Sequence, residues 1–182
     1  MAELNDTELI KIYRNPETKH YGFNLIADKY KERLYWHIRK IVIVHDDADD
    51  VLQNTLIKAW NGLKSFREQS GLYTWLYKIA TNECITHLNK KRSRYLVPIV
   101  DVEKELSNSL ETDPWFDGNE LQKKLQKSLL KLPVKQRIVF NLRYFEEMPY
   151  EEMSKVLQTS EGALKASFHH AMKKLEIFLN DD

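Results

Sequence analysis

Cysteine, glycine and proline are scarce in this sequence, and long apolar runs are absent. The single cysteine, Cys84, excludes an intramolecular disulfide and a zinc site built from several cysteines, and we expect it to be a small core residue. Five glycines and five prolines in 182 residues are too few for the many tight turns of a β-sandwich or β-barrel. The longest apolar candidate, residues 41–44, is far shorter than the ~20 residues that span a bilayer. The sequence therefore predicts an all-α protein without a transmembrane segment.

Acidic and basic residues are nearly equal in number but unevenly distributed. The whole sequence has 28 basic and 27 acidic residues. Residues 93–119 hold 2 basic and 6 acidic residues, whereas residues 1–92 hold 15 and 12, and residues 120–182 hold 11 and 9. Two mildly basic blocks thus flank an acidic segment. The N-terminus, MAELNDTELI, is acidic and lacks the apolar stretch of a secretory signal, which predicts an intracellular location.

The first block, residues 1–92, shows apolar residues at helical spacing in three segments. The inward residues are predicted to be Phe23, Ile26, Tyr30, Leu34, Ile38 and Ile41, then Ala48, Leu52, Leu56, Ala59 and Leu63, and then Leu72, Leu76, Ala80, Cys84 and Leu88. A short helix near residues 6–13 precedes them. The block is therefore predicted to be a bundle of three or four helices.

The acidic segment, residues 93–119, loses this periodicity. It contains Pro98, Pro114 and Gly118, which favour a flexible linker between two small helical domains. The alternative is a packed excursion anchored by Trp115 and Phe116.

The C-terminal block, residues 120–182, has the pattern of a four-helix domain that contains a helix-turn-helix. Pro149 begins a short helix, Ser160 is a good N-cap, and a longer helix follows. The inward residues are predicted to be Leu121, Leu125 and Leu129, then Val134, Ile138, Leu142 and Phe145, then Tyr150, Met153, Val156 and Leu157, and finally Leu164, Phe168, Met172, Leu175 and Leu179.

The outer face of the last helix carries residue types that suit DNA. Lys165 and Lys173 can neutralise phosphates, Ala166 permits close approach to base edges, and His169 can donate or accept a hydrogen bond. An ordinary solvated helix face would have the same composition, and the pattern alone leaves both interpretations open.

Two further surfaces have a functional and a plain interpretation. Asp46, Asp50, Gln53, Ile57 and Asn61 share one helix stripe that fits a basic protein partner with Ile57 as its anchor; alternatively the acids only cap the helix. The third helix combines aromatic residues at its start with a basic end, which suits unpaired bases and a phosphate backbone. Alternatively, Trp75 belongs to the core and the basic end complements the helix dipole.

Three stretches together resemble a bacterial sigma factor of the extracytoplasmic-function (ECF) type, within the sigma-70 family. They are DDADDVLQNTLIKAW (residues 46–60), FREQSGLYTWLYKIATNECITHLNKKR (residues 66–92) and LPVKQRIVFNLRYFEEMPYEEMSKVLQTSEGALKASFHHAMKKLE (residues 132–176). They resemble, in order, the family's helix that binds core polymerase, its loop and helix that melt and read the −10 element, and its domain that reads the −35 element. The segment GALKASFHHAMKKL further resembles sigma factors of the Bacteroidetes group.

The resemblance implies domain 2 over residues 1–92, a linker over residues 93–119 and domain 4 over residues 120–182. The residues implied for core-polymerase binding are Asp46, Asp49, Asp50, Gln53, Asn54, Ile57 and Lys58. Those implied for the −10 element are Ser65, Arg67, Ser70, Tyr73, Trp75, Tyr77, Lys78, Asn82, Lys90, Lys91 and Arg92. Those implied for the −35 element are Ser160, Glu161, Lys165, Ala166, Ser167, His169, His170 and Lys173.

The resemblance also implies which molecules the chain meets. The partners are core RNA polymerase, through its clamp coiled coil and flap, promoter DNA, and an anti-sigma factor. No catalytic residue, metal, cofactor or small-molecule substrate is expected. The location is cytoplasmic, or at the inner membrane when the anti-sigma factor holds the chain there.

The sequence departs from the family pattern at several positions. Asn54 replaces a common acid, Tyr73 a common basic residue, and Pro149 a usual capping serine. Arginines common in the last helix are replaced around Ala166-Ser167 and His169-His170, so base preferences do not transfer from other members. Two alternatives stay open: a stand-alone helix-turn-helix regulator, and, with least support, an enzyme, since neither an HExxH motif nor a phosphate-binding glycine loop is present.

Overall fold

The structure, a computed structural model, describes residues 4–95, 106–110 and 120–180, and within these ranges it contains helices and no strands. The helices are α1 (Asp6–Arg14), α2 (Lys19–Val42), α3 (His45–Gly62), α4 (Leu72–Tyr95), α5 (residues 106–110), α6 (Glu120–Leu130), α7 (Val134–Tyr144), α8 (Tyr150–Leu157) and α9 (Glu161–Asn180), with a 3-10 turn at Leu63–Ser65. The predicted all-α class is confirmed. Among these helices, none combines the length and apolar character that crossing a bilayer requires.

Helices α1 to α4 form a bundle whose central helix is α2. The predicted stripe of α2 is correct, since Ile26, Leu34 and Ile38 are buried in the core. Cys84 of α4 is also fully buried, as predicted. Helix α1 begins with a capping box between Asn5 and Glu8 and lies directly on α2. At Gly22 a side chain would come within 2.5 Å of the backbone nitrogen of Tyr13, so glycine is what permits this close approach.

The inward face of α3 differs from the prediction. Its centre is formed by Ala48, Val51, Thr55 and Ala59, whereas Leu52 and Leu56 are only partly buried. Thr55 tolerates burial because its hydroxyl donates to the carbonyl of Val51 at 2.7 Å. The stripe predicted from leucines is therefore rotated, because an internally bonded threonine took a core position.

Helices α8 and α9 form the predicted helix-turn-helix. Ser160 caps α9 by accepting a hydrogen bond from the backbone nitrogen of Ala163 at 3.3 Å, and Pro149 precedes α8. The predicted inward position of Met172 is wrong: Ala171 is buried instead, and Met172 is 43% exposed. Leu121 of α6 is likewise 68% exposed. Both side chains therefore contribute to a surface that the pattern assigned to the core.

Part of the predicted linker is folded. Helix α5 buries Leu106 and Leu110 in a small cluster with Ile43 and Leu130. Residues 93–95 extend α4. Trp115 and Phe116 lie outside the described residues, so a linker over the rest of 93–119 stays a prediction.

The N-terminal half, residues 4–95, and the C-terminal half, residues 120–180, share one core. Met153, Val156 and Leu164 belong to the same buried cluster as Leu72 and Leu76. Polar contacts support the junction at the end of α2. Arg137 donates to the carbonyl of Ile41 at 3.2 Å, and Asn141 to that of Lys40 at 3.4 Å. These side chains satisfy carbonyls that a helix end leaves without backbone partners.

A histidine lies at the centre of the N-terminal half. His37 of α2 is fully buried, and its Nε2 lies 2.9 Å from the hydroxyl of Thr81 in α4. Burial, with a smaller contribution from the charge of Lys40, lowers the pKa of His37 to about 3. The imidazole is therefore neutral at physiological pH.

We predict that His37 makes the fold sensitive to mild acid. Because the folded-state pKa, about 3, is below the ordinary 6.5, the unfolded chain takes up the proton first. The contribution of the neutral His37 to the stability of the fold is complete above pH 6.5 and is lost as the pH falls toward 3. Urea unfolding measures the change. Between neutral pH and pH ~5, the free energy of unfolding of wild type should fall by about 2 kcal/mol more than that of His37→Gln. The exposed-site control His20→Gln should follow wild type, and equal pH slopes for wild type and His37→Gln would contradict the prediction.

Candidate functional site

The outer face of α3 presents the residues implied for polymerase binding. Asp46, Asp49, Asp50, Gln53, Asn54, Ile57 and Lys58 are all exposed. Ile57 is 52% exposed, so a branched apolar side chain is available at the centre of this face. Asp47 differs from its neighbours, because it turns toward α4 and lies 3.2 Å from the ammonium group of Lys91. The exposed acids, amides and single apolar residue form a continuous face that suits a protein partner.

A cavity of about 430 Å³ lies beside the loop that precedes α4. Five of the residues implied for the −10 element line it: Ser65, Arg67, Ser70, Trp75 and Lys78. Its volume is within the range of ligand-sized pockets. Phe66 and Trp75 pack with ring centres 5.1 Å apart and form an aromatic wall. The structure thus assembles one pocket from residues that the sequence indicated separately.

Sequence reasoning missed four residues of this pocket, one of which is Phe66 of the aromatic wall. Gln69 and Thr74 line it, and so does Lys155 from α8 of the C-terminal half. Thr74 is one residue from Tyr73 and Trp75, so helical spacing offered a signal for it. No sequence pattern indicated Lys155, because its proximity results from the packing of the two halves.

Two tyrosines of α4 that the resemblance implied for the −10 element, Tyr73 and Tyr77, are not among the residues that line the pocket. The rings of Tyr73 and Tyr77 are 4.2 Å apart, and the guanidinium of Arg33 lies 4.9 Å from the ring centre of Tyr73. Tyr73 is half-buried, whereas Tyr77 has no exposed surface. Burial and the nearby Glu146 carboxylate raise the pKa of Tyr77 far above its ordinary range, so its hydroxyl keeps its proton and donates.

Two carboxylates of the C-terminal half bind this face of α4. The hydroxyl of Tyr77 donates to Glu146 at 2.7 Å, and the ammonium group of Lys40 lies 3.4 Å from the same side chain, which is only 8% exposed. The hydroxyl of Thr74 donates to Glu152 of α8 at 3.0 Å. In this arrangement Tyr77 is inaccessible to a nucleic acid.

The far end of α4 is more open. Asn82 and Lys90 are exposed, and Lys91 is partly buried beside Asp47. The side chain of Arg92 lies outside the described part of the chain. The basic end therefore presents at least Lys90 to a ligand, whereas Lys91 connects α4 to α3.

The exposed face of α9 contains most of the residues implied for the −35 element. Glu161, Lys165, Ala166, His169, His170 and Lys173 are exposed, as is Ser160 before the helix, and Ser167 is partly buried. The ammonium group of Lys165 lies 3.6 Å from Glu161 and 5.5 Å from the ring centre of Tyr150. Because both partners are at the surface, this ion pair is weak and leaves Lys165 available to phosphates.

An apolar groove of about 760 Å³ lies between α6, α7 and α9. Leu121, Leu125, Phe140, Tyr144, Met172, Leu175 and Leu179 line it, with His169 and Lys173 among its polar residues. The sequence did not reveal the groove, because Leu121 and Met172 follow the helical spacing of core residues. Within the described ranges, no group of three His, Cys, Asp or Glu residues is placed to hold a metal ion.

Comparison with known proteins gave two matching family models. Residues 26–94 match Sigma-70 region 2, and residues 122–175 match Sigma-70, region 4. The RNA polymerase sigma-H factor of Pseudomonas aeruginosa is 27% identical, and the match covers 97% of this chain and 94% of that protein. The ECF RNA polymerase sigma factor SigW of Bacillus subtilis is 28% identical, with 88% and 90% covered.

Two solved structures share the fold. CnrH, in complex with the cytosolic domain of CnrY, superposes with a TM-score of 0.71 at 23% identity and covers 97% of this chain and 98% of its own. The sigma factor RpoE of Bartonella quintana, in complex with the anti-sigma factor NepR, gives a TM-score of 0.67 at 24% identity, with 88% and 98% covered. At these identities the likeness concerns the arrangement of the helices.

We predict that Glu146→Lys separates the two halves. The change removes the nearer acceptor of Tyr77 and places an ammonium group beside Lys40. Breaking a buried charged contact costs about 3 kcal/mol or more. Spin labels on Asn61→Cys and Glu176→Cys, both at exposed positions, report the distance between the halves, because Cys84 is fully buried. The distance distribution should become longer and broader.

Glu147→Lys is the matched control, because Glu147 is the adjacent, exposed glutamate. It should keep the wild-type distance distribution. If Glu146→Lys also keeps it, the Glu146 contacts do not hold the halves together.

Proposed function

Because the chain belongs to the sigma-70 family as an ECF-type sigma factor, we propose that it binds core RNA polymerase, recognises −35 and −10 elements and melts the −10 region. The observation that carries this proposal is the order of the two family regions, residues 26–94 and 122–175, on the two helical halves. We assign domain 2 to residues 1–92, a linker to residues 93–119 and domain 4 to residues 120–182. The resemblance of GALKASFHHAMKKL supports an origin in the Bacteroidetes group.

Two surfaces are proposed to bind the polymerase. The exposed face of α3 binds the clamp coiled coil, with Asp46 and Asp50 facing basic groups and Ile57 entering an apolar pocket. The groove between α6, α7 and α9 binds the flap, because a concave apolar surface with exposed Leu121 and Met172 fits one face of an amphipathic helix.

The pocket beside α4 is proposed to capture a base from the non-template strand. Unstacking and unpairing a base costs a few kcal/mol, and insertion into the pocket against Trp75 compensates for it. Lys78 and Lys90 are placed to attract the phosphates of the opened strand. Melting therefore needs binding energy and no catalytic residue.

Helix α9 is proposed to read the −35 element in the major groove. Lys165 and Lys173 contact phosphates and fix the register, Ala166 lies against base edges, and His169 provides a hydrogen bond. Ser160 has a structural role in this assignment, because its hydroxyl caps α9.

In the structure the two halves pack against each other, an arrangement that we call closed, and it is incompatible with reading both elements at once. The −35 and −10 elements are roughly 25 base pairs apart, which is about 85 Å along B-form DNA. In the structure Glu152 of α8 is hydrogen-bonded to Thr74 of α4, and Glu146 covers Tyr77. The halves must therefore separate before promoter recognition.

An anti-sigma factor is proposed as the partner that keeps the chain inactive. CnrH and RpoE were solved with CnrY and NepR, and this chain shares their fold. A partner that binds the closed arrangement better than the open one would shift the population toward it. We place the chain in the cytoplasm, or at the inner membrane when such a partner anchors it there.

Run-off transcription separates the sigma-factor function from a stand-alone helix-turn-helix regulator. Fragments of bacterial genomic DNA are transcribed by core polymerase with and without the protein, and the start sites are sequenced. We expect defined start sites that need the added protein, and weak binding of duplex DNA by the protein alone. Tight duplex binding without new start sites would instead support the regulator.

We predict that Asp50→Lys with Gln53→Lys abolishes binding to core polymerase. Both side chains are exposed on α3, so the fold should be retained while the charge facing the basic partner is reversed. Pull-down with core polymerase measures the loss. Glu17→Lys with Asn24→Lys, which makes the same charge changes at exposed positions near the start of α2, should bind like wild type. Unchanged pull-down by the α3 variant would remove the assignment of this surface.

A further inference from the structure

The loop between the 3-10 turn and α4, residues 66–71, has no regular secondary structure and forms much of the pocket beside α4. A residue far away in the sequence, Arg14 at the end of α1, contacts it twice. Its Nη2 donates to the carbonyl of Phe66 at 3.0 Å, and its Nη1 lies 2.7 Å from the carboxylate of Glu68. Arg14 itself does not line the pocket.

We propose that Arg14 is the positioning residue of the base-capture loop. By holding the loop at Phe66 and Glu68, it fixes the segment that presents Arg67, Gln69 and Ser70 to an unstacked base of the −10 strand. This proposal rests on the proposed function, and it adds a role for α1, which lies before the first matched family region at residues 26–94.

The backbone of the loop explains why such a restraint is needed. Glu68 has a φ of 55°, in the left-handed region that a residue with a side chain disfavours. Such a conformation persists where surrounding contacts hold it. The ion pair between Arg14 and Glu68 is exposed and contributes little alone, so the hydrogen bond from Arg14 to the carbonyl of Phe66 supplies the rest of the restraint. The planar guanidinium can reach the carbonyl and the carboxylate at once, whereas a lysine is a single point charge and cannot replace both contacts.

The end of α1, which carries Arg14, is held by contacts to its neighbours. The hydroxyl of the adjacent Tyr13 donates to the carbonyl of Trp60 in α3 at 3.1 Å. Thr18 donates to the carbonyl of Ile12 at 2.9 Å, and Gly22 lets α2 touch the backbone of α1. The end of α1 is therefore fixed in position, and the Arg14 side chain extends from it to the loop.

The opposite side of the loop is held by apolar packing. The Phe66 side chain is 7% exposed and packs on Trp75 at the start of α4. Arg14 then fixes the carbonyl of the same residue, so the peptide that leads into Arg67 has one orientation. Loss of Arg14 should leave this aromatic wall intact and release only the polar part of the pocket, which would affect base capture and not polymerase binding.

The test uses holoenzyme and the promoter that gives the strongest run-off signal with wild type, carrying 2-aminopurine at the base that wild type unstacks. We expect Arg14→Gln and Arg14→Lys to lower the fluorescence-reported opening about fivefold, the scale of one hydrogen bond. Glu68→Gln should lower opening about twofold, because the hydrogen bond from Arg14 to the carbonyl of Phe66 remains. Lys11→Gln, an exposed basic residue on the same helical turn, should match wild type.

Separate measurements distinguish positioning from a general structural role. Core-polymerase binding, affinity for duplex DNA upstream of the opened region, and the unfolding temperature should stay at wild-type values in both Arg14 variants. Opening at the wild-type level by Arg14→Gln would overturn the proposal, as would an equal loss in all these measurements. If Arg14→Gln is unstable, Glu68→Gln decides alone, and wild-type opening by it would overturn the proposal. Failure of wild type to open any promoter would instead refute the proposed function.

Discussion

A buried carboxylate joins the two halves of this protein. Glu146 is almost completely withdrawn from water, and a carboxylate in that position is tolerated only with a donor or a cation beside it. Tyr77 supplies the donor and Lys40 the cation, both from the other half. The closed arrangement therefore satisfies Glu146 and buries apolar side chains of α4 and α8 in one cluster. Tyr77 also has a longer contact in its own half, to the carbonyl of Arg33 at 3.4 Å.

This junction has a direct consequence for function. The same helix, α4, carries the groups proposed to hold the opened strand and the groups that bind Glu146 and Glu152. In the proposed function, DNA and the C-terminal half therefore compete for α4. Core polymerase can favour the open state, in which the two halves are separated, only if it binds that state more tightly than the closed one. The two surfaces proposed to bind polymerase, on α3 and between α6, α7 and α9, would supply that preference.

The pocket beside α4 shows how local and distant contributions combine. Its loop is short and polar. The left-handed backbone conformation of Glu68 needs contacts from elsewhere in the chain to persist. Arg14 and Phe66 hold it from two sides. Leu121 and Met172 are exposed because α6, α7 and α9 leave a groove between them, which is wide enough to be proposed as a site for a partner helix. The proposed sites thus lie where packing is incomplete.

Periodicity determined much of the fold, since a stripe such as Ile26, Leu34 and Ile38 can be buried in only one helical register. Local chemistry likewise predicted the cap at Ser160 and the exposed faces of α3 and α9. Tertiary structure decided what depends on residues distant in sequence: the burial of Tyr77 by Glu146, the place of Lys155 in the pocket, and the contact of Arg14 with the loop. A helical pattern specifies which side of a helix is apolar, but the partner of that side is set by the packing of the whole chain.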